Sequence, residues 1–543
     1  MRFRTLTLLT ITYVVLLLGA LGVSVIASAQ TTPQKPDAAA SPLEQPLTPA
    51  ERRGRAIYFR GETSSKREVT AMIGDVDVPA STVNCAGCHG RRGEGKTEGG
   101  VTAGNLTWNN LIKPYGHTHP NGRKHGPFSE ASFAMAVVRG VDPAGNNLVV
   151  AMPRYRLSIE DMNDLVAYIK RLESDRDPGL TAESIEVGVP LPNAPALSET
   201  AQSIRQVLAA YFDELNAQGG IYNRKVKVHF TDPTASDTFA GLRTLMTSNQ
   251  IFAFVGGLSA GADKQIATLA REEEIPFVGP ATLLPQVDLP PNRYMFYLLP
   301  GVTEQAKALV NFADQQFGLK KQHSAIVFQN TELPAAAGEA AFERVKQVAG
   351  NEVGKTSYAS ASFDANKLAQ QLKSEGATSV FFFGVGDEVQ SFLQAANALQ
   401  WTPNVFSLGV FASKALAGSL PPSFTKKVFL SFPTVPADVK VDGLAEYGAL
   451  VQKYKFQPKH TAAQLAALAA AKVFVEALKR AGSDLSREQL ITALESLYDY
   501  DTSLTPKLIF GPNRRVGANG AYVVTIDSET KEFVSASGWV AAN

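Results

Sequence analysis

The motif Cys85-Ala-Gly-Cys88-His89 contains both cysteines of this 543-residue chain. At this spacing two thiols can add across the vinyl groups of haem while the adjacent imidazole binds the iron. A redox or zinc-binding Cys-x-x-Cys pair is the alternative, but zinc needs about two further ligands at suitable spacing. The motif therefore predicts one covalently attached haem c, held by Cys85 and Cys88, with His89 as an axial ligand of the iron.

The second axial ligand is predicted to be Met152. It lies in the loop Ala151-Met152-Pro153, just ahead of a helix, and thioether ligation raises the reduction potential of haem iron. Met135 and Met162 are the competing methionines. Both lie at helical spacing among apolar neighbours, where a methionine usually fills a core.

Three histidines, His117, His119 and His125, share one polar loop. They could bind a metal ion or replace Met152 on the iron. No carboxylate or cysteine nearby completes a metal site, so a polar surface loop is the favoured interpretation.

The N-terminus has the three parts of a secretory signal. A basic start is followed by an uncharged apolar run at 6–27 and by Ala27-Ser28-Ala29, a small-residue cleavage site. An uncleaved membrane anchor is the alternative, because the run approaches the roughly 20 residues that span a bilayer. Residues 1–29 are therefore predicted to be a signal peptide, with the mature protein in the periplasm. No later segment is expected to be long and apolar enough to span a membrane.

Composition limits the number of domains and the kinds of partner. With 543 residues, 45% of them apolar, the chain exceeds what one core normally absorbs, so two or three domains are expected. A net charge of +1 does not show the excess of basic residues that is typical of proteins that bind nucleic acid.

Two helices bracket the Cys-Cys-His motif. Thr48-Pro49-Ala50-Glu51 predicts the start of a helix that ends at Gly61, and Ser158 caps a second, amphipathic helix that continues to Leu172. A segment at 30–47, rich in Pro, Ala, Ser and Thr, is predicted to be a flexible tether. A polar, turn-rich segment after Leu172 marks a domain boundary near residue 180.

With these elements, residues 48–178 resemble a class I cytochrome c domain, a small all-α fold whose activity is electron transfer. The resemblance implies a redox partner such as a periplasmic dehydrogenase or a terminal oxidase. Residues 62–82 form an insertion relative to the family, with no assigned role. Arg91, Arg92 and Lys96 follow the motif and could form a docking patch for an acidic partner, although a solvated loop is more common.

Beyond residue 180, short apolar runs alternate with amphipathic helices, a pattern typical of parallel sheets covered on both faces. About 360 residues of this pattern suggest two α/β lobes. The predicted strands are Ile185–Val189, Val226–Phe230, Phe252–Val255, Phe277–Val278, Ser324–Phe328, Ser379–Phe383, Asn404–Leu408, Lys427–Ser431, Leu508–Phe510, Tyr522–Ile526 and Phe533–Val540. An Ala-rich helix is expected at Ala462–Ala481.

Residues 181–543 resemble the type I periplasmic binding proteins, the substrate-binding components of transporters for branched-chain amino acids and similar solutes. The similarity lies in 210–221, 255–261 and 275–282. It implies two lobes joined by three crossovers, with a ligand in the cleft between them and a membrane permease as a possible partner. Ligands of open parallel sheets bind beyond the carboxyl ends of the strands. The predicted contacts with a ligand carboxylate are Ser259, Ala260, Gly261, Ala281 and Thr282.

Family members that bind amino acids hold the ligand's ammonium group with an acidic residue. Here Val410 or Phe411 stands where that acid is expected. A buried ammonium without an acidic partner carries a large desolvation cost. The sequence therefore favours a small organic ligand with a carboxylate over an α-amino acid.

Together these features predict a periplasmic electron-transfer protein fused to a solute-binding module. One alternative is a haem-linked oxidoreductase whose chemistry takes place in the cleft. Against it, the cleft motifs contain no nucleophile and base pair and no flavin or nicotinamide fingerprint. Another alternative is an amino-acid-binding component of a transporter. An electron carrier and binding protein is favoured over an enzyme.

Overall fold

A computed structural model describes residues 47–543, except for 64–68, 96, 99–100, 120, 233, 260, 288, 351–352 and 414. The predicted signal peptide, and all of the predicted tether except Leu47, lie outside the described residues.

The first domain is mainly helical, and it also contains short antiparallel strands. Its helices are α1 (Pro49–Arg60), α2 (Cys85–His89), α3 (Trp108–Leu111), α4 (Glu130–Arg139) and α5 (Ile159–Arg171). Its strands are β1 (Thr70–Ile73), β2 (Val76–Pro79), β3 (Thr97–Glu98), β4 (Val101–Thr102), β5 (His117–Thr118), β6 (Lys124–His125) and β7 (Arg154–Tyr155).

Helix α1 has the ends that the sequence predicts. The Thr48 hydroxyl accepts a hydrogen bond from the Glu51 amide at 3.2 Å, and the Glu51 carboxylate accepts one from the Thr48 amide at 2.7 Å. This reciprocal pair satisfies two backbone donors at the start of the helix. Gly61 ends the helix at φ +65°, a conformation that glycine adopts without a Cβ clash.

Helices α1 and α5 cross at Gly54. A Cβ atom on Gly54 would lie 2.0 Å from the Asp164 carbonyl oxygen, so only glycine permits this approach. Tyr58 and Tyr168 are fully buried in the core beside the crossing. The Tyr58 hydroxyl donates to the Gly90 carbonyl at 2.7 Å, which ties α1 to the residue that follows the haem motif.

The insertion at 62–82 contains a β-hairpin. Strand β1 pairs antiparallel with β2 on one side and with β7 on the other. In the second pairing Met72 lies opposite Arg154 and Ala71 opposite Tyr155. The insertion thus adds a three-stranded sheet to the helical domain and brings it next to the segment that follows Met152.

The α/β part alternates strand and helix, as predicted. Its strands are β8 (Ser184–Val189), β9 (Lys225–Phe230), β10 (Ala253–Val255), β11 (Phe277–Val278), β12 (Met295–Phe296), β13 (Ser324–Gln329), β14 (Gly354–Tyr358), β15 (Ser379–Phe383), β16 (Asn404–Leu408), β17 (Val428–Phe432), β18 (Gly520–Asp527) and β19 (Glu532–Ala541). Its helices are α6 (Ser198–Ala217), α7 (Thr238–Asn249), α8 (Asp263–Glu272), α9 (Val302–Phe317), α10 (Glu332–Ala349), α11 (Ala365–Ser374), α12 (Glu388–Ala398), α13 (Leu416–Ser419), α14 (Val441–Tyr454), α15 (Thr461–Ala481) and α16 (Arg487–Glu495).

Two sheets define two lobes. Lobe 1 contains a parallel five-stranded sheet in the order β12-β11-β10-β8-β9. Lobe 2 contains a seven-stranded sheet in the order β14-β13-β15-β16-β17-β18-β19, in which the pairings of β18 are antiparallel. The lobes have separate cores, and the chain passes between them near residue 300, between β17 and α14, and just before β18. The expectation of two lobes with three crossovers is confirmed.

Two expectations about single elements need correction. The run Leu508–Phe510 is not a strand, because it makes only an isolated bridge between Leu508 and Tyr500. Helix α15 is long and apolar enough to cross a membrane by length and composition, although no such later segment was expected. Most of this helix is buried in the core of lobe 1, where it packs against α6 and α16, which accounts for its apolar character.

Buried ion pairs join the first domain to lobe 1. Arg55 of α1 is 5% exposed and donates to Asp177 at 3.0 Å and to Glu274, just after α8, at 2.8 Å. Arg60 reaches the other oxygen of Glu274 at 2.8 Å. Asp177 also accepts a hydrogen bond from the Arg487 amide at 2.6 Å. Arg55 and Asp177 are both buried, so their ion pair is shielded from water where the first domain meets lobe 1.

Arg91 and Arg92 belong to this junction. Arg91 pairs with Asp177 at 3.0 Å and Arg92 with Asp484 at 3.1 Å. Arg91 thus pairs with a buried carboxylate of the same chain, whereas the pair of Arg92 with Asp484 is exposed, so a docking patch that includes Arg92 stays a prediction. Lys96 lies outside the described residues.

Candidate haem site and solute cleft

Helix α2 carries the two cysteines at its first and fourth positions. The Asn84 side chain caps the helix by accepting a hydrogen bond from the Gly87 amide at 2.9 Å. Cys85 is half-buried, whereas Cys88 is exposed, and both are free thiols. Residues three apart on a helix lie on one face, so both sulfurs can reach the same group.

His89 is buried, with 7% of its surface exposed. Its Nδ1 lies 2.7 Å from the Gly104 carbonyl oxygen, and because a carbonyl only accepts, Nδ1 must donate. Burial lowers the pKa of His89, although this hydrogen bond acts in the opposite direction. The neutral imidazole thus keeps the Nε2 lone pair for a metal, in an orientation that a hydrogen bond from its other nitrogen fixes.

The alternative uses of a Cys-x-x-Cys pair fit less well. Burial raises the pKa of the Cys85 thiol to about 12, whereas a redox dithiol needs a lowered thiol pKa. In the described part of the chain, no group of three or more His, Cys, Asp or Glu side chains is arranged to hold a metal ion. A zinc site at α2 would need such a group.

The three candidate methionines have different surroundings. Met152 is half-buried and packs against the same core as Cys85. Met162 of α5 is 7% exposed in that core, which agrees with the expectation for a core-filling residue. Met135 of α4 is 50% exposed, so the expectation that it fills the core is wrong.

The three histidines of the polar loop form one cluster on the hairpin of β5 and β6. The ring of His125 lies 5.1 Å from those of both His117 and His119. His119 Nε2 lies 3.0 Å from His125 Nε2 and 3.0 Å from the Arg123 guanidinium. Burial lowers the pKa of both His117 and His119. A cation directed at His119 disfavours a second cation, so these contacts favour a role within the hairpin over a metal site.

A cavity of about 410 Å³ lies between the lobes, beyond the carboxyl ends of β10 and β11. It is lined by Ser259, Gly261, Ala281 and Thr282, four of the predicted ligand contacts. The fifth, Ala260, lies outside the described residues. Two neighbouring strand ends thus bring together segments that are separate in sequence, as expected for a parallel sheet.

The hydroxyls at this edge already make hydrogen bonds within the protein. Ser259 is 3% exposed, and its Oγ donates to the Ala281 carbonyl at 3.3 Å. Thr282 Oγ1 accepts a hydrogen bond from the Leu284 amide at 2.9 Å, so its hydroxyl proton can still be donated to a ligand. Thr282 is therefore the better placed of the two hydroxyls as a donor.

The cavity walls are mostly apolar, and most of them were not identified from the sequence. Some lie within or beside the strand-end motifs, and the others come from remote segments and crossovers, which those motifs cannot indicate. The further lining residues are Leu258, Asp263, Gly279, Pro280, Leu283, Leu284, Leu298, Leu299, Pro300, Gln305, Glu332, Leu333, Pro433, Ala466 and Thr505.

The cleft contains acidic groups at positions other than Val410 and Phe411, where the sequence suggested that an acid is missing. Phe411 is buried in the core of lobe 2, and neither it nor Val410 lines the cavity. Two carboxylates do line it: Asp263 at the start of α8 in lobe 1, and Glu332 at the start of α10 in lobe 2. The absence of an acid at Val410 or Phe411 therefore does not leave the lobe 2 side of the cavity without a carboxylate, because Glu332 provides one.

Lobe 2 has another carboxylate at the carboxyl ends of its strands. Glu388, after β15, accepts hydrogen bonds from the Tyr358 hydroxyl at 2.8 Å, from the Gln329 amide group at 3.1 Å and from the Val385 amide at 2.9 Å. This group was not predicted, because Tyr358 lies on β14, a strand that the apolar pattern did not reveal.

Comparison with known proteins divides the chain at the same place as the cores. Residues 184–531 match the family model described as periplasmic binding protein, and residues 80–173 match the model described as cytochrome c. No curated protein sequence matches the chain significantly.

Solved structures share the fold of the α/β part. A fatty acid ABC transporter substrate-binding protein from Thermomonospora curvata is 17% identical, with a TM-score of 0.50, covering 67% of this chain and 94% of its own. An ABC transporter substrate-binding protein from Aeropyrum pernix is 14% identical, with a TM-score of 0.52, covering 66% and 96%. A branched-chain amino acid ABC transporter protein from Thermus thermophilus with bound valine is 17% identical, with a TM-score of 0.49, covering 67% and 97%.

Proposed function

The chain belongs to the periplasmic binding protein family and carries a cytochrome c domain, which implies haem c, and from this premise we propose that it is a periplasmic electron-transfer protein that also binds a small organic solute. The redox partner would be a dehydrogenase or terminal oxidase in the same compartment. The α/β module would deliver its ligand to a membrane permease or report its presence.

The side chains of the first domain fit one covalently attached haem. Cys85 and Cys88 would form the thioether bonds, and His89 Nε2 and the Met152 sulfur would be the axial ligands. When bound, the haem supplies a reversible one-electron couple, whose potential a thioether ligand raises. The contact between His89 Nδ1 and the Gly104 carbonyl is the observation that best supports this assignment, because it fixes the ring for metal binding.

The haem half of the proposal is tested on the exported full-length protein. Spectroelectrochemistry should give one reversible midpoint and low-spin spectra in both oxidation states. The reduced protein should not bind carbon monoxide, because both axial positions are filled. Carbon monoxide binding at neutral pH would instead indicate an open position on the iron, and the electron-carrier proposal would fail.

The solute is proposed to be a small carboxylate with an apolar body. Thr282 supplies a hydroxyl donor at one end of the cavity, next to the start of α8. Leucine side chains from both lobes, including Leu298 and Leu333, cover the remaining wall. A ligand screen by thermal shift on the full-length chain tests this half, with small carboxylates expected to stabilise it more than neutral analogues do.

Glu332 supports a second candidate for the ligand. Its carboxylate lines the lobe 2 side of the cavity, where it could pair with an ammonium group. The ligand would then be an amino acid, with its carboxylate at Thr282. Removing the charge of Glu332 should increase the affinity for a carboxylate ligand but decrease the affinity for an amino acid.

A further inference from the structure

The loop that ends at Met152 is held by one side chain. Arg154 donates from Nη1 to the Met152 carbonyl and from Nη2 to the Leu148 carbonyl at 3.2 Å and the Val149 carbonyl at 3.4 Å. Three carbonyl oxygens of a segment outside the helices thus converge on one guanidinium. Hydrogen bonds from a charged donor are about twice as strong as neutral ones.

Gly140 makes room for this guanidinium. It ends α4 at φ +67°, and a Cβ atom there would lie 1.7 Å from Arg154 Nε and 2.0 Å from Cζ. Any other residue at 140 would displace the side chain of Arg154. The hydrogen bonds from Arg154 to the loop carbonyls, called here the loop clamp, therefore depend on Gly140 before the loop and on Arg154 after it.

The backbone of Arg154 is held independently of its side chain. Arg154 lies opposite Met72 in the pairing of β7 with β1, so the inserted hairpin fixes its position. Next to it, the Tyr155 hydroxyl donates to the Val83 carbonyl, two residues before Cys85. Tyr155 thus connects the segment after Met152 with the segment before the haem motif.

We infer that Arg154 is a positioning residue that keeps the Met152 sulfur on the haem iron by clamping the loop carbonyls at 148–152. This inference rests on the proposed assignment of Met152 as an axial ligand. It also gives the insertion at 62–82 a role, since its strand β1 holds the backbone from which Arg154 reaches the loop. Without the clamp, a competing ligand would displace the sulfur more readily.

The test uses the full-length oxidised holoprotein and imidazole as the competing ligand, with loss of the sulfur-to-iron charge-transfer band as the signal. Arg154→Gln should raise the apparent affinity for imidazole at least about tenfold, the size expected for loss of a hydrogen bond from a charged donor. Arg154→Lys keeps the positive charge but lacks the two-pronged guanidinium group, so its affinity for imidazole should lie between those of Arg154→Gln and the wild type. Arg156→Gln is the matched control, because Arg156 is exposed and its ion pair is with Asp77 on the hairpin.

Two further variants separate the possible failures. Gly140→Ala should also increase imidazole affinity, because it displaces the guanidinium without removing the charge, and it replaces Arg154→Gln if that variant does not fold. Unchanged imidazole affinity in the folded variants at 140 and 154 would overturn the inference. Persistence of the charge-transfer band in Met152→Ala would instead overturn the ligand assignment on which the inference rests.

Discussion

Arg55 of the haem domain lies 2.8 Å from Glu274, which follows the last turn of α8. The first residue of the same helix, Asp263, lines the solute cavity. One helix therefore has the cleft at its amino end and the domain junction at its carboxyl end. The haem domain is attached to the wall of the cleft by buried charges and not only by the linker near residue 180.

The junction should weaken in acid. Burial by itself would raise the pKa of Glu274, but Arg60 and Arg55 hold it below its usual value. A lowered pKa in the folded state contributes stability above the unfolded value, about 4.3, and this contribution is lost as the pH falls through the folded value. Thermal unfolding followed by haem absorbance and by circular dichroism should coincide at pH 7 and separate below about pH 4.

Glu274→Gln should separate the two unfolding transitions already at pH 7, because Arg55 and Arg60 lose a charged partner. Glu272→Gln is the control, since Glu272 is exposed on the same helix. Coincident transitions in Glu274→Gln at neutral pH would contradict a junction held by these ion pairs.

Met152→Ala should leave the haem attached but abolish the sulfur-to-iron charge-transfer band of the oxidised protein and lower the midpoint potential. The reason is that a thioether ligand raises the potential, and the half-buried Met152 is the methionine in the loop ahead of α5. Met135→Ala, which changes a half-exposed side chain on α4, should keep both the band and the potential. Loss of the band in Met135→Ala, with retention in Met152→Ala, would reverse the assignment.

Thr282→Val should weaken binding of a small carboxylate by about 1.5 to 3 kcal/mol, the usual cost of losing a hydrogen bond to a charged group. Thr282→Ser keeps the hydroxyl and should retain most of the affinity. Ser259→Ala should have a smaller effect, because the Ser259 hydroxyl donates to the Ala281 carbonyl. Calorimetry on the full-length chain measures all three, and equal affinities for Thr282→Val and the wild type would remove Thr282 from the site.

Glu332→Gln should tighten binding of a carboxylate ligand, because it removes a like charge from the cavity wall. Binding of a zwitterionic amino acid should instead become weaker. Glu343→Gln, on the exposed face of the same helix α10, serves as the control. Tight wild-type binding of leucine, isoleucine or valine that Glu332→Gln abolishes would replace the carboxylate proposal with the amino-acid candidate.

Much of the architecture follows from local patterns in the sequence. The Thr48 and Ser158 caps and the apolar runs of β13, β15 and β16 are local signals, and these elements lie where they were predicted. Strand β14 was missed because Gly354–Tyr358 is polar and lies at the edge of its sheet. Edge strands face solvent and need no apolar run.

The two sites were only partly predictable, because some of their residues are contiguous in sequence and others meet only in the folded chain. The haem motif and the loops at 259–261 and 281–282 are contiguous in sequence, so their residue types indicate their chemistry. Glu332 reaches the cavity only because a crossover brings lobe 2 against lobe 1. Similarly, the contact between Arg154 and Gly140 depends on how α4 meets β7, which no spacing in the sequence encodes.

Covalent attachment of haem through Cys85 and Cys88 is the central claim, and the mass of the denatured protein tests it most directly. The exported chain should carry the added mass of one haem after denaturation and acid-acetone extraction, and neither cysteine should react with an alkylating reagent. A chain that loses its haem on extraction and takes up alkyl groups at both cysteines would contradict the account.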